Sequence, residues 1–363
     1  MKLLSNIFLA ILIFITMVPI NYFFSNNFNA LPIQLVVVFF IFRLYFSMNL
    51  KYTLLISLSI FVLLMTSDSQ FNQVLTSGIT ATFFTIYFIL FAEKIRFQKN
   101  FKDVINILFI VIIAFTTYYN IDFYFYSDLS TRSKAFGSGS IFSIISLYGF
   151  AFLMLNYYMK HINKKYFYPL FILFLTSLIF TQVRGVILTM AFIYIVLEFK
   201  SLKKIKFSRI LFTITIGIFL FQGSLISERF NLSSNSDINQ LTSGRLETQL
   251  LIVKSIFYKS DNFTLLFGHG INSIKQDFIP KGLEFPHLDI LYLLYEGGLF
   301  LLIIYLLLMY QSYKLFNYKL LFLIFLISSF HTNMILSPGF LFVGFLMDKY
   351  LIMVSRTSVI KTI

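Results

Sequence analysis

Apolar residues in this chain gather in stretches closed by charged or turn-forming residues. They lie near 3–24, 32–49, 51–66, 74–92, 104–120, 139–159, 166–182, 184–199, 208–223, 288–311, 318–331 and 336–354. None alternates with the two-residue period of a half-buried strand, and uninterrupted apolarity over such lengths predicts helices. Several stretches fall short of the roughly 20 residues an untilted membrane span needs. The pairs meeting at 50, 183 and 335 fit re-entrant hairpins. The pattern therefore predicts an all-α, polytopic integral membrane protein of about twelve transmembrane helices, forming a single membrane domain over 1–363.

One connection stands apart. Residues 224–287 form the one long loop on their side of the membrane, and connections longer than about 15 residues are usually functional or disordered. Within it, "SNSDINQLTSG" reads as turn and cap. "RLETQLLIVKSIFYK" then sets Leu246, Leu250, Val253 and Phe257 at helical spacing. The alternative is a solvated connector carrying an incidental amphipathic helix.

Composition sharpens this picture. Hydrophobic residues make up 58% of the chain and charged residues 12%, about half the charged share of an average soluble domain. Cysteine is absent, which excludes disulfides and thiolate metal sites. Four scattered histidines offer no metal cluster. Tryptophan is absent too, leaving tyrosine to build any interfacial aromatic belt.

The net charge of +14 would point to nucleic acid in a soluble domain. Here "EKIRFQKNFK", "KHINKK", "KSLKKIKFSR", "KLFNYK" and the tail "RTSVIKTI" fall on one side once the first helix is threaded from the cytoplasm. Basic short loops orient spans, so both termini are expected in the cytoplasm and 224–287 outside it. No nucleic-acid partner is implied. The opening "MKLLSNIFLAILIFITMVPI" lacks a small-residue cleavage pattern and reads as an uncleaved first helix.

Against this background, isolated polar residues become candidates for chemistry. Arg184 in "FTQVRGVIL" and Arg245 in "LTSGRLETQ" each open a helix, where the helix dipole disfavours a cation. A bound anion would offset that cost, and guanidinium groups bind phosphate through paired hydrogen bonds. The bland alternatives are a snorkelling arginine and a solvated one. Arg132 and Lys134 would add positive potential. His287 borders the next apolar run, and Asp289, Tyr292 and Glu296 follow at spacings that place them on one helical face. A carboxylate as deep as Glu296 needs a partner or a water-filled cavity. Gly297 and Gly298 suit close packing or a kink. "GHG" at 268–270 lacks the strand-loop-helix setting of a nucleotide loop.

The order "QVRG", "TSGR", "PHLDILYLLYEGGLF" resembles the O-antigen polymerase and O-antigen ligase superfamily of bacterial envelope proteins, with Leu288 where that pattern has asparagine. The resemblance implies a GT-C-like, multi-spanning, metal-independent and cofactor-free glycosyltransferase in the bacterial cytoplasmic membrane, its active site facing outward. An inverting polymerase of undecaprenyl-diphosphate-linked oligosaccharide is the expected activity. A ligase to a lipopolysaccharide core and a lipid-linked oligosaccharide flippase are the alternatives. Membrane lipid, a chain-length regulator and a flippase of the same pathway are the implied partners. Arg184 and Arg245 would hold the diphosphate, and His287 or Glu296 would activate the acceptor hydroxyl. Arg132, Lys134, Asp289 and Tyr292 would complete substrate binding.

Overall fold

A computed structural model describes residues 2–17, 37–38, 40–41, 44–48, 78–90, 92–95, 100–126, 139–180, 184–201, 245–270, 273–278, 288–330, 334, 337 and 339–360. They fall into two compact units, Met1–Val111 with Glu247–Ile363, and Ile112–Leu246.

In the first unit, helices α1 (Lys2–Met17) and α2 (Gly78–Leu90) pack on the C-terminal helix, which is α12 (Gly339–Ile360). Gly339 makes the first of these contacts possible. A side chain there would run into the backbone of Thr16 and Met17. Between α1 and α2, strand β1 (Phe46–Met48) pairs antiparallel with β2 (Ala92–Ile95), with a register shift between Ser47 and Met48. In the stretch 32–49, where helix is expected, the described residues 37–38, 40–41 and 44–45 are helical and the end, Phe46–Met48, is strand.

The remaining helices of this unit are α7 (Arg245–Lys254), which belongs to it from Glu247 on and runs into a π-helical turn at Ser255–Lys259, α8 (Asn262–Phe267), α9 (Ser273–Asp277), α10 (Asp289–Leu315) and α11 (Lys319–Ser328). Helices α2, α8 and α9 all pack on α10, and α11 packs on α12. The turn from α10 to α11 is tied by the buried Asp348 of α12. One of its oxygens accepts the backbone N–H groups of Asn317 at 2.9 Å and Tyr318 at 2.7 Å. Lys349 closes the end of α10 by donating to the Leu315 carbonyl at 2.8 Å, and pairs with Asp348 at 3.0 Å.

The second unit is built on α4 (Gly139–Tyr158), which packs against α5 (Lys164–Phe180) and α6 (Arg184–Ser201). Helix α3 (Phe101–Tyr126) passes from the first unit's stretch of chain into the second's. Ile144, Ile145, Leu147, Tyr148, Ala151 and Leu153 of α4 are all fully buried. A helix apolar on every side is one that is surrounded. Its few polar groups meet across helices: Ser146 Oγ lies 3.0 Å from Ser177 Oγ and 3.5 Å from Thr116 Oγ1.

The stretches at 3–24, 74–92, 104–120, 139–159, 166–182, 184–199, 288–311, 318–331 and 336–354 all coincide with helices; those at 51–66 and 208–223 lie outside the described residues. The architecture drawn from them is corrected. Among the described residues, Phe101–Asp122 and Asp289–Leu315 are the two helices long and apolar enough to cross a membrane, against the twelve expected. The second of these is broken at Gly298 (φ 67°, ψ −173°). A shorter apolar helix such as Lys319–Ser328 would reach about 15 Å at 1.5 Å per residue, below the roughly 30 Å of a hydrocarbon core. Apolar composition does not by itself separate a helix that meets lipid from one enclosed by neighbours, and α4 is enclosed. The twelve-span, GT-C-like fold is withdrawn.

Candidate functional site

The polar residues with the most developed surroundings lie on α10 and on the segment packed against it. Leu288 is extended, and α10 begins at Asp289, whose N–H donates to the Ser329 carbonyl at 3.2 Å. From that start, positions 289, 292 and 296 come round to one face. All three are enclosed, with relative exposures of 1% for Asp289, 3% for Tyr292 and 2% for Glu296. Burial, then the nearby Glu296 carboxylate, then the charge of Asp289, push the Tyr292 phenol well above the usual range.

The helix then breaks at Gly298, and the break changes what can meet. Tyr305 lies sixteen positions beyond Asp289. In a continuous helix it would sit roughly 24 Å away along the axis and on another face. Here it lies within electrostatic reach of the Asp289 carboxylate. Its hydroxyl is buried and has no hydrogen-bond partner among the described residues. Burial first, and Asp289 second, hold it far from ionising. Phe83 of α2 lies 6.0 Å from the Tyr305 ring, centroid to centroid. The α2 sequence, GITATFFTIYFIL, brings no charged residue to α10.

Around the break a second set of groups is wired together. Asp261 caps α8 by accepting the Thr264 N–H at 2.7 Å. Hydrogen bonding from Thr264, side chain and backbone, holds the Asp261 carboxyl below the usual range, and His269 adds to the effect. After α8 the chain passes through Gly268 (φ 82°) to His269, whose ring stacks on Tyr295 with centroids 4.1 Å apart and planes 5° from parallel. The Tyr295 hydroxyl donates to Asp277 of α9 at 2.7 Å. No group of three or more His, Asp or Glu side chains placed to hold a metal ion occurs among the described residues.

The expected site residues are distributed unevenly. Asp289, Tyr292 and Glu296 come together on α10 in the first unit. Arg184 opens α6 and Arg245 opens α7, as their sequence contexts predict, and both belong to the second unit. His287, Arg132 and Lys134 lie outside the described residues. Sequence reasoning missed Tyr305, because no helical period links it to Asp289. It also missed His269, Ser260, Asp277 and Tyr295. One signal was available for His269: the glycines of "GHG" and "EGG" are the kind that let two backbones touch.

Comparison of the chain with protein-family models, curated proteins and solved structures yields no match. The resemblance to the O-antigen polymerase and ligase superfamily rests on three short motifs and is corrected accordingly. The inverting polymerase activity goes with it, as do the ligase and flippase alternatives and the assignment as a membrane glycosyltransferase. So do the partners it implied, namely undecaprenyl-diphosphate-linked oligosaccharide, membrane lipid, a chain-length regulator and a flippase. The multi-pass placement in a bacterial cytoplasmic membrane, with an outward-facing site, falls for the same reason and for want of the multi-span architecture it needs.

Proposed function

We propose that the protein binds a small organic cation of the ammonium class, held by Asp289, Tyr292, Glu296 and Tyr305 of α10. Asp289 and Glu296 set two carboxylates on one enclosed face of α10. An ammonium group is drawn to that negative charge, and the rings of Tyr292, Tyr305 and Phe83 offer it electron-rich faces. The observation that carries this reading is the Tyr305 hydroxyl. It is enclosed, within electrostatic reach of Asp289, and without a hydrogen-bond partner among the described residues. Burying such a group unsatisfied costs about 1–3 kcal/mol, and a ligand ammonium with a polar substituent would recover that cost.

The test is calorimetric titration of the purified full chain with ethylammonium and tetramethylammonium, with sodium and potassium as comparisons. Saturable binding of an ammonium ion is expected, weakened at least about tenfold in Glu296→Gln and in Asp289→Asn, the range for losing a charge-assisted contact. Tyr305→Phe should weaken it by a smaller factor. Equal binding by wild type and Glu296→Gln would sink the proposal, and so would binding of sodium or potassium alone.

A further inference from the structure

The first arm of α10 ends at the break, so its last carbonyls lack a following turn of their own helix. Loop 268–270 meets two of them. The His269 N–H donates to the Tyr295 carbonyl at 2.9 Å, and the Gly270 N–H donates to the Glu296 carbonyl at 3.0 Å. The His269 ring reinforces the join, with Nδ1 3.3 Å from the Tyr295 carbonyl and Nε2 3.3 Å from Ser260 Oγ. Ser260 in turn donates to the Ser255 carbonyl at 3.1 Å.

A carbonyl only accepts, so the Nδ1 contact needs a proton on Nδ1. The one hydroxyl proton of Ser260 goes to Ser255, so the Nε2 contact needs a proton on Nε2 as well. A neutral imidazole carries one proton and must forgo one of the three bonds, whereas an imidazolium completes them all.

We infer that loop 268–270 is a proton-operated clasp on the backbone of Glu296, tightening when His269 is charged and thereby regulating the cation site. The regulatory part rests on the cation-binding reading; the clasp itself does not. The titratable groups around the ring are Asp261 at the start of α8, Tyr295 and Glu296 on α10, and Asp277 behind the Tyr295 hydroxyl. Lys254 and Lys259 lie on the segment leading to Ser260. Histidine is the side chain whose charge ordinarily changes between pH 5 and 8.

The experiment is amide hydrogen exchange of the full chain from pH 8 to pH 5, corrected for intrinsic rates, read at His269 and Gly270. Protection should rise about fivefold on acidification, the weight of one hydrogen bond. His269→Gln keeps a donor and an acceptor but cannot charge, and should give a flat profile. A flat wild-type profile, or a step that survives in His269→Gln, would overturn the clasp. Ammonium affinity over the same range then tests regulation: a pH step in Kd that His269→Gln removes is expected, and a pH-independent Kd overturns it. Exchange needs no ligand, so a protection step without ammonium binding would sink the cation site and leave the clasp standing.

Discussion

Gly268 and Gly298 lie in one backbone-to-backbone contact, and neither has room for a side chain. A Cβ on Gly298 would meet the Leu266 carbonyl and the Gly268 nitrogen, and one on Gly268 would meet the Glu296 carbonyl and the Gly297 nitrogen. Both glycines also have positive φ, at 82° and 67°. The α8 segment can therefore reach the broken helix only because neither residue has a side chain.

Gly298→Ala should destabilise the first unit by about 3 kcal/mol, combining backbone strain with overpacking. Gly268→Ala should do similar damage. Because each substitution already spoils the same contact, the double variant should lose less than the two losses added. Denaturant unfolding of the three variants checks this, and strict additivity would mean that the two glycines act separately.

Asp348→Ala removes the acceptor for two backbone donors and the partner of Lys349. A loss of about 3 kcal/mol is expected, the scale for breaking a buried charge pair on one side. Asp348→Asn keeps an acceptor for Asn317 and Tyr318 and should recover part of that loss. If thermal unfolding leaves the two variants equal, the backbone hydrogen bonds are not what matters at this turn.

Within the second unit, Ser146→Ala breaks the hydroxyl chain from Thr116 to Ser177 and should cost about 1 kcal/mol. Gly149→Ala should cost more, about 2 kcal/mol, because the new Cβ would press on the Phe174 ring and on Ile112. Reversal of that order in melting experiments would show that α4 and α5 separate easily.

The Asp261 cap makes α8 sensitive to acid. Its carboxyl is held below the usual value by the Thr264 hydrogen bond. The stabilisation is therefore present above the unfolded carboxyl's value of about 3.9 and lost as pH falls through the lower folded value. Exchange protection of the Thr264 amide should decline across that interval in wild type. It should already be low at neutral pH in Asp261→Ala. An acid-insensitive Thr264 in wild type would exclude the cap as its source.

Helices were legible where apolar stretches end abruptly. The stretch 139–159 is α4 at Gly139–Tyr158, and α6 and α7 begin at Arg184 and Arg245 as their flanking residues suggest. The shared face of Asp289, Tyr292 and Glu296 follows from spacing alone, and the glycines after it permit both the kink and the close packing that are found. The surroundings of an apolar face were not legible, because leucine and phenylalanine serve equally against lipid and against another helix.

Register within α7 shows a second limit. Leu246, Leu250, Val253 and Phe257 were expected to form its apolar face. Thr248, Ile252 and Ile256 are the residues buried instead, while Leu250 and Phe257 are exposed. Apolar residues on several sides of "RLETQLLIVKSIFYK" leave the choice of face to the neighbours, and the π-helical turn at Ser255–Lys259 shifts the spacing further. Tyr305 marks the third limit, since its coming within electrostatic reach of Asp289 follows a break that no periodicity announces.

The break at Gly298 also bears on the order in which the chain assembles. The end of the first arm of α10 is completed by amides some 26 residues earlier in the chain, so that arm cannot finish until a loop has closed. Closing such a loop has an entropic cost before any contact rewards it. The second arm, Leu299 to Leu315, carries no such dependence and is free to form first, so α10 is one helix in the folded protein and two events on the way there.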